Sequence, residues 1–441
     1  MKPNSPLQIF KAMYRYARIP FRRWSSKGKP TAFVLGLSPW KDFIQDWLPN
    51  ETVHRRDKSF TRYEFYVSFV PWILADRNSK LYVWGYKHPD YVETFCRRFN
   101  VPLIRIEDGF IRSVALGATK APPLSLCFDS SVLYFDPTDQ SDLEKILETH
   151  DFAGDPELVS RARRGIDLLL STRLSKYNTS EDVNIEAIYG PKTRKRVLVV
   201  GQVEGDMSII KGCELKIDNN DLVRIAAREN PDAQIIYKPH PEVLHGTRKD
   251  PPQSNPDLVR SFSLVLDQDI TLADAFQTVD HVYTITSLSG FEALIRGIKV
   301  TCLGMPFYAG WGATDDRQLC ERRTARRSVE EIFAAAYLLY PKYFDPILRK
   351  EIQFEEALAL LQWMKKSSDA IAAAKQKAPE PVDVPAAVPM QPLPRLLVGA
   401  SREKIKTIRE VLDLLDPPKK PKPPLKPKLP VKPKRRTLKA S

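Results

Sequence analysis

From residue 29 to about 345, short apolar runs alternate with stretches whose apolar residues recur every three or four positions. The runs near 31–36, 80–84, 103–106, 196–200, 234–238, 281–286 and 299–303 predict strands. Arg-Val-Leu-Val-Val at 196–200 is apolar throughout after its first residue, as in a strand covered on both faces. Helical spacing occupies 89–99, 156–170, 221–229 and a stretch opening at Ser289, while 122–136 is irregular. Such alternation predicts an α/β architecture with mainly parallel sheets, in two halves that part near residue 192. The expected divisions are an N-terminal segment 1–28, a first half 29–192, a second half 193–345, a helix 346–374 and a tail 375–441.

Composition changes the picture at the two ends. The net charge of +14 invites a nucleic-acid reading, but residues 417–441 hold ten Lys/Arg and no acid, and residues 1–28 hold seven and no acid. The body between them is left at −3, with no basic stripe for a nucleic-acid groove. Charge confined to the ends favours an anionic membrane surface or another polyanion. In 1–28, Leu7, Phe10, Tyr14 and Ala17 fall at helical spacing among Lys11, Arg15, Arg18, Arg22 and Arg23. A basic amphipathic helix on a membrane and a helix packed on the body are equally compatible with this pattern. Prolines interleaved with lysines predict a disordered or polyproline II tail, with a helical island at 401–415. No apolar run reaches the roughly 20 residues of a transmembrane helix, and no leader pattern opens the chain, so a cytoplasmic location, peripheral on the inner membrane, is expected. Five cysteines without a C-x-x-C pair read as reduced thiols and not as a zinc site.

Ligands of α/β sheets bind beyond the carboxyl ends of strands, so the polar residues following each run are the candidate chemistry. Neither G-x-G-x-x-G nor G-x-x-x-x-G-K-[ST] is present. Four clusters stand out. Glu107-Asp108-Gly109, continued by Arg112, offers adjacent carboxylates for acid or base work, or an ordinary turn. The loop from Gly201 to Ser208 presents Asp206 as a nucleophile or base, or as a helix cap. Lys238-Pro239-His240-Pro241 holds a cation and an imidazole between prolines, suited to phosphate oxygens or a leaving group. Thr286-Ser287-Leu288-Ser289-Gly290-Phe291-Glu292 places hydroxyls and backbone N–H groups where a strand turns into a helix, with Glu292 as a capping partner or a ribose ligand.

In order along the chain, 103–117 (with I-E-D-G-F-I-R-S-V-A-L-G), 121–126 (A-P-P-L-S-L), 174–178 (L-S-K-Y-N), the 201–208 loop, 237–241 (Y-K-P-H-P), 286–294 and 306–317 (P-F-Y-A-G-W-G-A-T-D-D-R) resemble the capsule polysaccharide β-Kdo transferase family of the KpsC/LipB type. The resemblance covers roughly residues 30–345. It implies a GT-B fold, in which two Rossmann-like domains face each other across a cleft, with the acceptor side first and the CMP-sugar side second. It further implies CMP-Kdo as donor, a glycolipid or polysaccharide acceptor, capsule assembly and export proteins as partners, no metal or other cofactor, and retention by double displacement. Asp206 then matches the attacking carboxylate and His240 the histidine at the donor phosphate. Glu107 and Asp108 match the acidic motif on the acceptor side, and Ser287 and Ser289 a phosphate-binding turn. Lys238 and Arg112 would add cations against the charge of the donor. Relatives of the linker-building type carry two motif sets where this chain has one, and Gly205 stands where relatives often have a second acid, which leaves Glu204 in doubt. A sialic-acid-type CMP-sugar transferase and a non-catalytic export scaffold are the competing readings.

Overall fold

The computed structural model describes residues 14, 17, 29–57, 60–113, 122–172, 184–246, 252–268 and 270–377, with side chains as far as 367. The expected N-terminal helix (but for Tyr14 and Ala17), the L-S-K-Y-N segment and the Pro/Lys-rich tail with its helical island lie outside them. Met1–Asp369 forms one compact unit; the second unit, Ala370–Ser441, contains the end of the last helix.

Alternation within each strand builds two faces on the first sheet. In β1 (Thr31–Leu37), Ala32 and Val34 join Tyr82, Trp84, Ile106 and Trp47 on one side, while Phe33 and Leu35 join Leu81, Phe65, Val92 and Phe95 on the other. Strands β2 (Thr52–Asp57), β3 (Lys80–Trp84) and β4 (Leu103–Asp108) run parallel to β1 in the order 2-1-3-4. The sheet then turns antiparallel with β5 (Ser125–Asp129), which fills part of the stretch expected to be irregular.

The second half forms a parallel sheet from β6 (Arg196–Val200), β7 (Gln234–Lys238), β8 (Leu264–Val265), β9 (His281–Thr284), β10 (Lys299–Cys302) and β11 (Asp315–Asp316), ordered 11-10-9-6-7-8. All five residues of β6 are buried, as its unbroken apolar run requires. The helix expected from Asp221 begins at Asn219, because Asp218 caps it and Asp221 is the reciprocal partner of that capping box. The chain then returns. β12 (Lys342–Asp345) pairs antiparallel with β5, and β13 (Lys350–Ile352) pairs with β12, so both belong to the first sheet although 342–345 was expected to close the second half. The final helix spans Phe354–Lys377.

A single apolar cluster joins the halves. Phe110, Leu143 and Leu169 of the first half share it with Leu198, Phe291, Phe307 and Trp311 of the second. A polar seam runs beside it: Glu144 accepts from Arg322 Nε at 2.9 Å and Arg323 Nε at 3.0 Å, and Arg327 Nε donates to the Leu147 carbonyl at 2.6 Å.

Candidate active site

The loop after β6 is held by a carboxylate that the sequence left ambiguous. Glu204 Oε1 accepts from Asn219 N (2.9 Å), Asn219 Nδ2 (2.8 Å) and Ser254 Oγ (2.5 Å), and Oε2 accepts from Ser254 N (2.9 Å). With its lone pairs engaged this way, Glu204 ties the loop to two neighbouring segments and is an anchor. Asp206 is exposed and caps the helix Met207–Gly212. Both of its contacts, Ser208 N at 2.8 Å and Ser208 Oγ at 2.9 Å, fall on Oδ1. Oδ2 has no protein partner among the described residues. The cap therefore orients the carboxylate without consuming it.

Gln202 links this loop to the turn after β9, a role the sequence did not signal. Its Oε1 accepts from Thr286 N at 2.8 Å, and its Nε2 lies 3.2 Å from Thr286 Oγ1 and 3.4 Å from Ser208 Oγ. The hydroxyl turn thereby sits beside the Asp206 cap. Ser287, not Ser289, is the N-cap of the helix Leu288–Leu294; its Oγ accepts from Ser289 N at 3.2 Å and lies 3.0 Å from Ser289 Oγ. Glu292 is buried and makes no capping box. Gly290 is required by packing, since a Cβ there would stand 2.2 Å from Tyr308 Oη. At the end of β7, Lys238 is buried and its carbonyl accepts from Gly201 N at 2.9 Å. His240 Nδ1 accepts from Glu242 N at 3.2 Å, which leaves the proton of the neutral ring on Nε2.

On the first sheet, β4 continues through Glu107 and Asp108, which pair with Cys127 and Leu126 of β5. The two carboxylates thus lie on the strand end and not in a turn. Gly109 follows without a positive φ; it is needed because a Cβ would come within 2.3 Å of Ser125 Oγ. Asp108 Oδ2 accepts from Arg112 Nε at 2.7 Å, while its Oδ1 is buried without a hydrogen bond among the described residues. Glu107 Oε1 accepts from Asp108 N at 3.1 Å. Arg112 is buried and also donates to Ser113 Oγ at 2.8 Å, so its hydrogen bonds place it in the Asp108 group. Lys41, which sequence reasoning missed, lies in the turn Pro39–Gln45 after β1, with Nζ against the Trp84 ring. Burial pushes its ammonium down to about 7 against the opposing pull of Asp108 and Glu107, and Lys87 and Arg112 lower it further. The signal was the same one that found the other clusters, a polar residue just past a strand.

The two groups of loops adjoin. Lys211, on the helix capped by Asp206, ion-pairs with Asp136 at 3.5 Å and lies over the Tyr86 ring at 4.9 Å, both in the first half. Tyr86 Oη donates to Asp136 Oδ2 at 2.5 Å. The F-Y-A-G-W-G block is structural: Tyr308 and Trp311 are buried, Tyr308 Oη donates to the Ser287 carbonyl, and Phe307 meets Phe110 at 4.8 Å between ring centres. It locks the hydroxyl turn onto the acidic motif of the other half. No group of His, Cys, Asp and Glu suited to a metal occurs among the described residues.

A sugar nucleotide transferase needs such parts: a free carboxylate, N–H and hydroxyl donors for phosphate, and an acid or base opposite them. The chain belongs to the family of capsule polysaccharide biosynthesis proteins, whose model matches residues 80–343. It is 43% identical over 344 residues to the lipopolysaccharide-processing protein LpsZ of Rhizobium meliloti, covering 77% of this chain and 76% of that one. It is 38% identical over 289 residues to the capsule polysaccharide modification protein LipA of Neisseria meningitidis serogroup A, covering 65% of this chain and 40% of LipA. Among solved structures, the β-Kdo 2,4 transferase of Thermosulfurimonas dismutans KpsC superposes with a TM-score of 0.62 at 33% identity, covering 75% of this chain and 98% of that one. The β-Kdo 2,7 transferase of the same protein gives 0.57 at 30%, with 76% and 99% covered.

Proposed function

We propose that the chain is a retaining glycosyltransferase of GT-B architecture that moves Kdo from CMP-Kdo to a glycolipid or polysaccharide acceptor during capsule or surface polysaccharide biosynthesis. The observation that carries this reading is the one-sided engagement of Asp206, whose Oδ1 is held by Ser208 while Oδ2 has no partner among the described residues. The chain's similarity to the KpsC β-Kdo transferases supports Kdo as the sugar moved.

In this mechanism Asp206 Oδ2 attacks the anomeric carbon, and the bond to the CMP phosphate breaks with its electron pair leaving on phosphate. His240 donates from Nε2–H to that phosphate, and Lys238, Ser287 and Ser289 offset its charge, so that CMP departs without a divalent ion. The acceptor hydroxyl then displaces Asp206 from the same carbon, and two inversions give retention. Asp108 is held by Arg112 and organises the acceptor side, while Glu107 takes the acceptor proton. The halves 29–192 and 193–345 act as acceptor and donor sides, with 342–345 structurally part of the first. The basic ends would hold the protein on the cytoplasmic surface of an anionic inner membrane, near export partners; no described helix is long and apolar enough to cross it.

The test is intact-protein mass spectrometry after incubation with CMP-Kdo generated in situ. A Kdo-sized adduct on wild type that is absent from Asp206→Ala and persists in Glu204→Gln supports the reading. No adduct together with no CMP release, with or without a lipid acceptor, overturns it. Turnover that survives chelator is expected, and its loss would remove the metal-free step.

A further inference from the structure

The helix Met207–Gly212 carries Asp206 as its cap and, at 6 residues, is too short to hold an orientation by itself. Its setting depends on what touches it. Within the second half, Met305 N donates to the Gly212 carbonyl at 2.7 Å, and Ser208 Oγ lies 3.4 Å from both Thr286 Oγ1 and Gln202 Nε2. Other contacts come from the first half. A Cβ added at Gly212 would stand 3.0 Å from Thr286 Cγ2 and 3.2 Å from the Phe135 carbonyl oxygen, so the end of the helix is pinched between the halves. One residue on from Phe135, Asp136 Oδ2 meets Lys211 Nζ at 3.5 Å. The first-half side of this pair is a fixed platform. The Asp136 side chain is 1% exposed. Its Oδ1 accepts from Thr138 N at 3.1 Å and Thr138 Oγ1 at 2.5 Å, and its Oδ2 from Tyr86 Oη at 2.5 Å. Tyr86 Oη accepts in turn from Leu133 N at 3.2 Å, and its ring centre lies 4.7 Å from the Arg105 guanidinium and 4.9 Å from Lys211 Nζ. Burial pushes the Asp136 carboxyl up, but the hydrogen bonds from Thr138 and Tyr86 and the charge of Lys211 outweigh it, so the group stays an anion. Joining the halves does not require this pair, because the shared apolar cluster and the Glu144 seam already do so. Lys211 lies three residues after Ser208, on the same helical face. Ser208 is the residue that holds Asp206 Oδ1.

We propose that Asp136 and Lys211 are positioning residues that set Asp206 from the opposite half: Asp136 acts through Lys211 to fix the orientation of the helix that Asp206 caps. Alignment of the carboxylate then depends on the contact between the halves, passed along one helical turn from Lys211 to Ser208. The role of Asp206 as nucleophile rests on the transferase reading; the coupling of its helix to the first half does not.

The test uses the full chain with Lys211→Met, which keeps the stem over Tyr86 and removes the charge, and Lys211→Arg, which keeps both. With CMP-Kdo generated in situ in excess, the rate of adduct formation is followed by intact-protein mass spectrometry. In Lys211→Met it is expected to fall about tenfold or more while the dissociation constant of CMP, measured by calorimetry, stays within about twofold. Lys211→Arg is expected to recover most of the rate. An unchanged rate in Lys211→Met overturns the proposal, as does a loss matched by an equal loss of CMP affinity, the mark of a merely structural role. Asp136→Asn should add little to Lys211→Met in the double variant, and losses that add in full would show that Asp136 does not act through Lys211. Amide exchange needs no turnover: over 207–212 it is expected to rise about threefold or more in Lys211→Met, with β6 unchanged. Unchanged exchange over 207–212 refutes the coupling. A rise there in a chain whose wild type forms no adduct and releases no CMP would retire the transferase reading and leave the coupling standing.

Discussion

Glu144 offers the sharpest test of how the halves are joined. It sits on the helix Asp142–Thr149 of the first half, and both oxygens are used by arginines of the second, Arg322 Nε at 2.9 Å and Arg323 Nε at 3.0 Å. The Arg323 and Glu144 side chains are only 2% and 3% exposed. Glu144→Gln keeps the shape but presents an amide N–H₂ to one guanidinium and leaves the Arg323 charge buried against two carbonyls, Pro306 and Ala309, each at 2.7 Å. Breaking a buried pair from one side costs about 3–5 kcal/mol, so Gln at 144 is expected to cost about 3 kcal/mol. Removing both charges with Glu144→Leu and Arg323→Met avoids the stranded cation and loses chiefly the two hydrogen bonds to those carbonyls. At about 1 kcal/mol each, the double variant should cost about 2 kcal/mol, less than the single one. Denaturant unfolding of the full chain, followed by tryptophan fluorescence and circular dichroism, measures both. A single-variant cost below about 1 kcal/mol, or a double variant at least as damaged as the single, would refute the reasoning.

Other outcomes follow from the same contacts. Glu204→Ala removes the acceptor of four hydrogen bonds and should destabilise the loop by about 2–4 kcal/mol, read as an early local rise in amide exchange over 201–206; unchanged exchange there would show that Glu204 is not the anchor. His281 is buried, and burial, then Lys195 and Lys299, hold its imidazole down at about 4 against an ordinary 6.5. Its folded value is depressed, so the stability it contributes is present above pH 6.5 and lost as pH falls toward 4, about 3 kcal/mol at full extent. The urea midpoint of His281→Gln should therefore fall less than that of wild type between pH 7 and pH 4.5, and equal losses would contradict this. Gly290→Ala pushes a methyl into Tyr308 and should cost about 2–3 kcal/mol. Adding Tyr308→Phe, which removes the nearest atom, should restore part of the melting temperature, and no restoration would place the strain elsewhere.

Much of the fold was legible because the central strands are buried on both faces and so appear as unbroken apolar runs; β3, β6 and β7 fall where the runs at 80–84, 196–200 and 234–238 lie. What was not legible depended on distant partners. Ser125–Asp129 is a strand because β4 and β12 flank it, and Pro122 and Pro123 before it mask the run. Glu107 and Asp108 look like a turn with Gly109, yet pairing with β5 extends through both of them. Local spacing could not distinguish Ser287 from Ser289 as the cap, and only the positions of Asn219 and Ser254 reveal Glu204 as an anchor. Pattern also could not separate the ligand-facing clusters from the F-Y-A-G-W-G block, whose aromatic rings turn inward. Lys41 was within reach of the strand-end rule, but its importance appears only once Trp84 and the β4 carboxylates are seen around it.

The return of the chain to the first sheet sets an order on folding during synthesis. β5 has β4 on one side, but its other neighbour, β12, is made only after every strand of the second sheet has been translated. A nascent chain with its second half complete therefore still exposes the β5 edge, a template for pairing with another chain. Release from the ribosome before Lys342–Ile352 has docked leaves that edge open, so premature termination just upstream of this short ribbon should yield aggregates and not a smaller soluble enzyme.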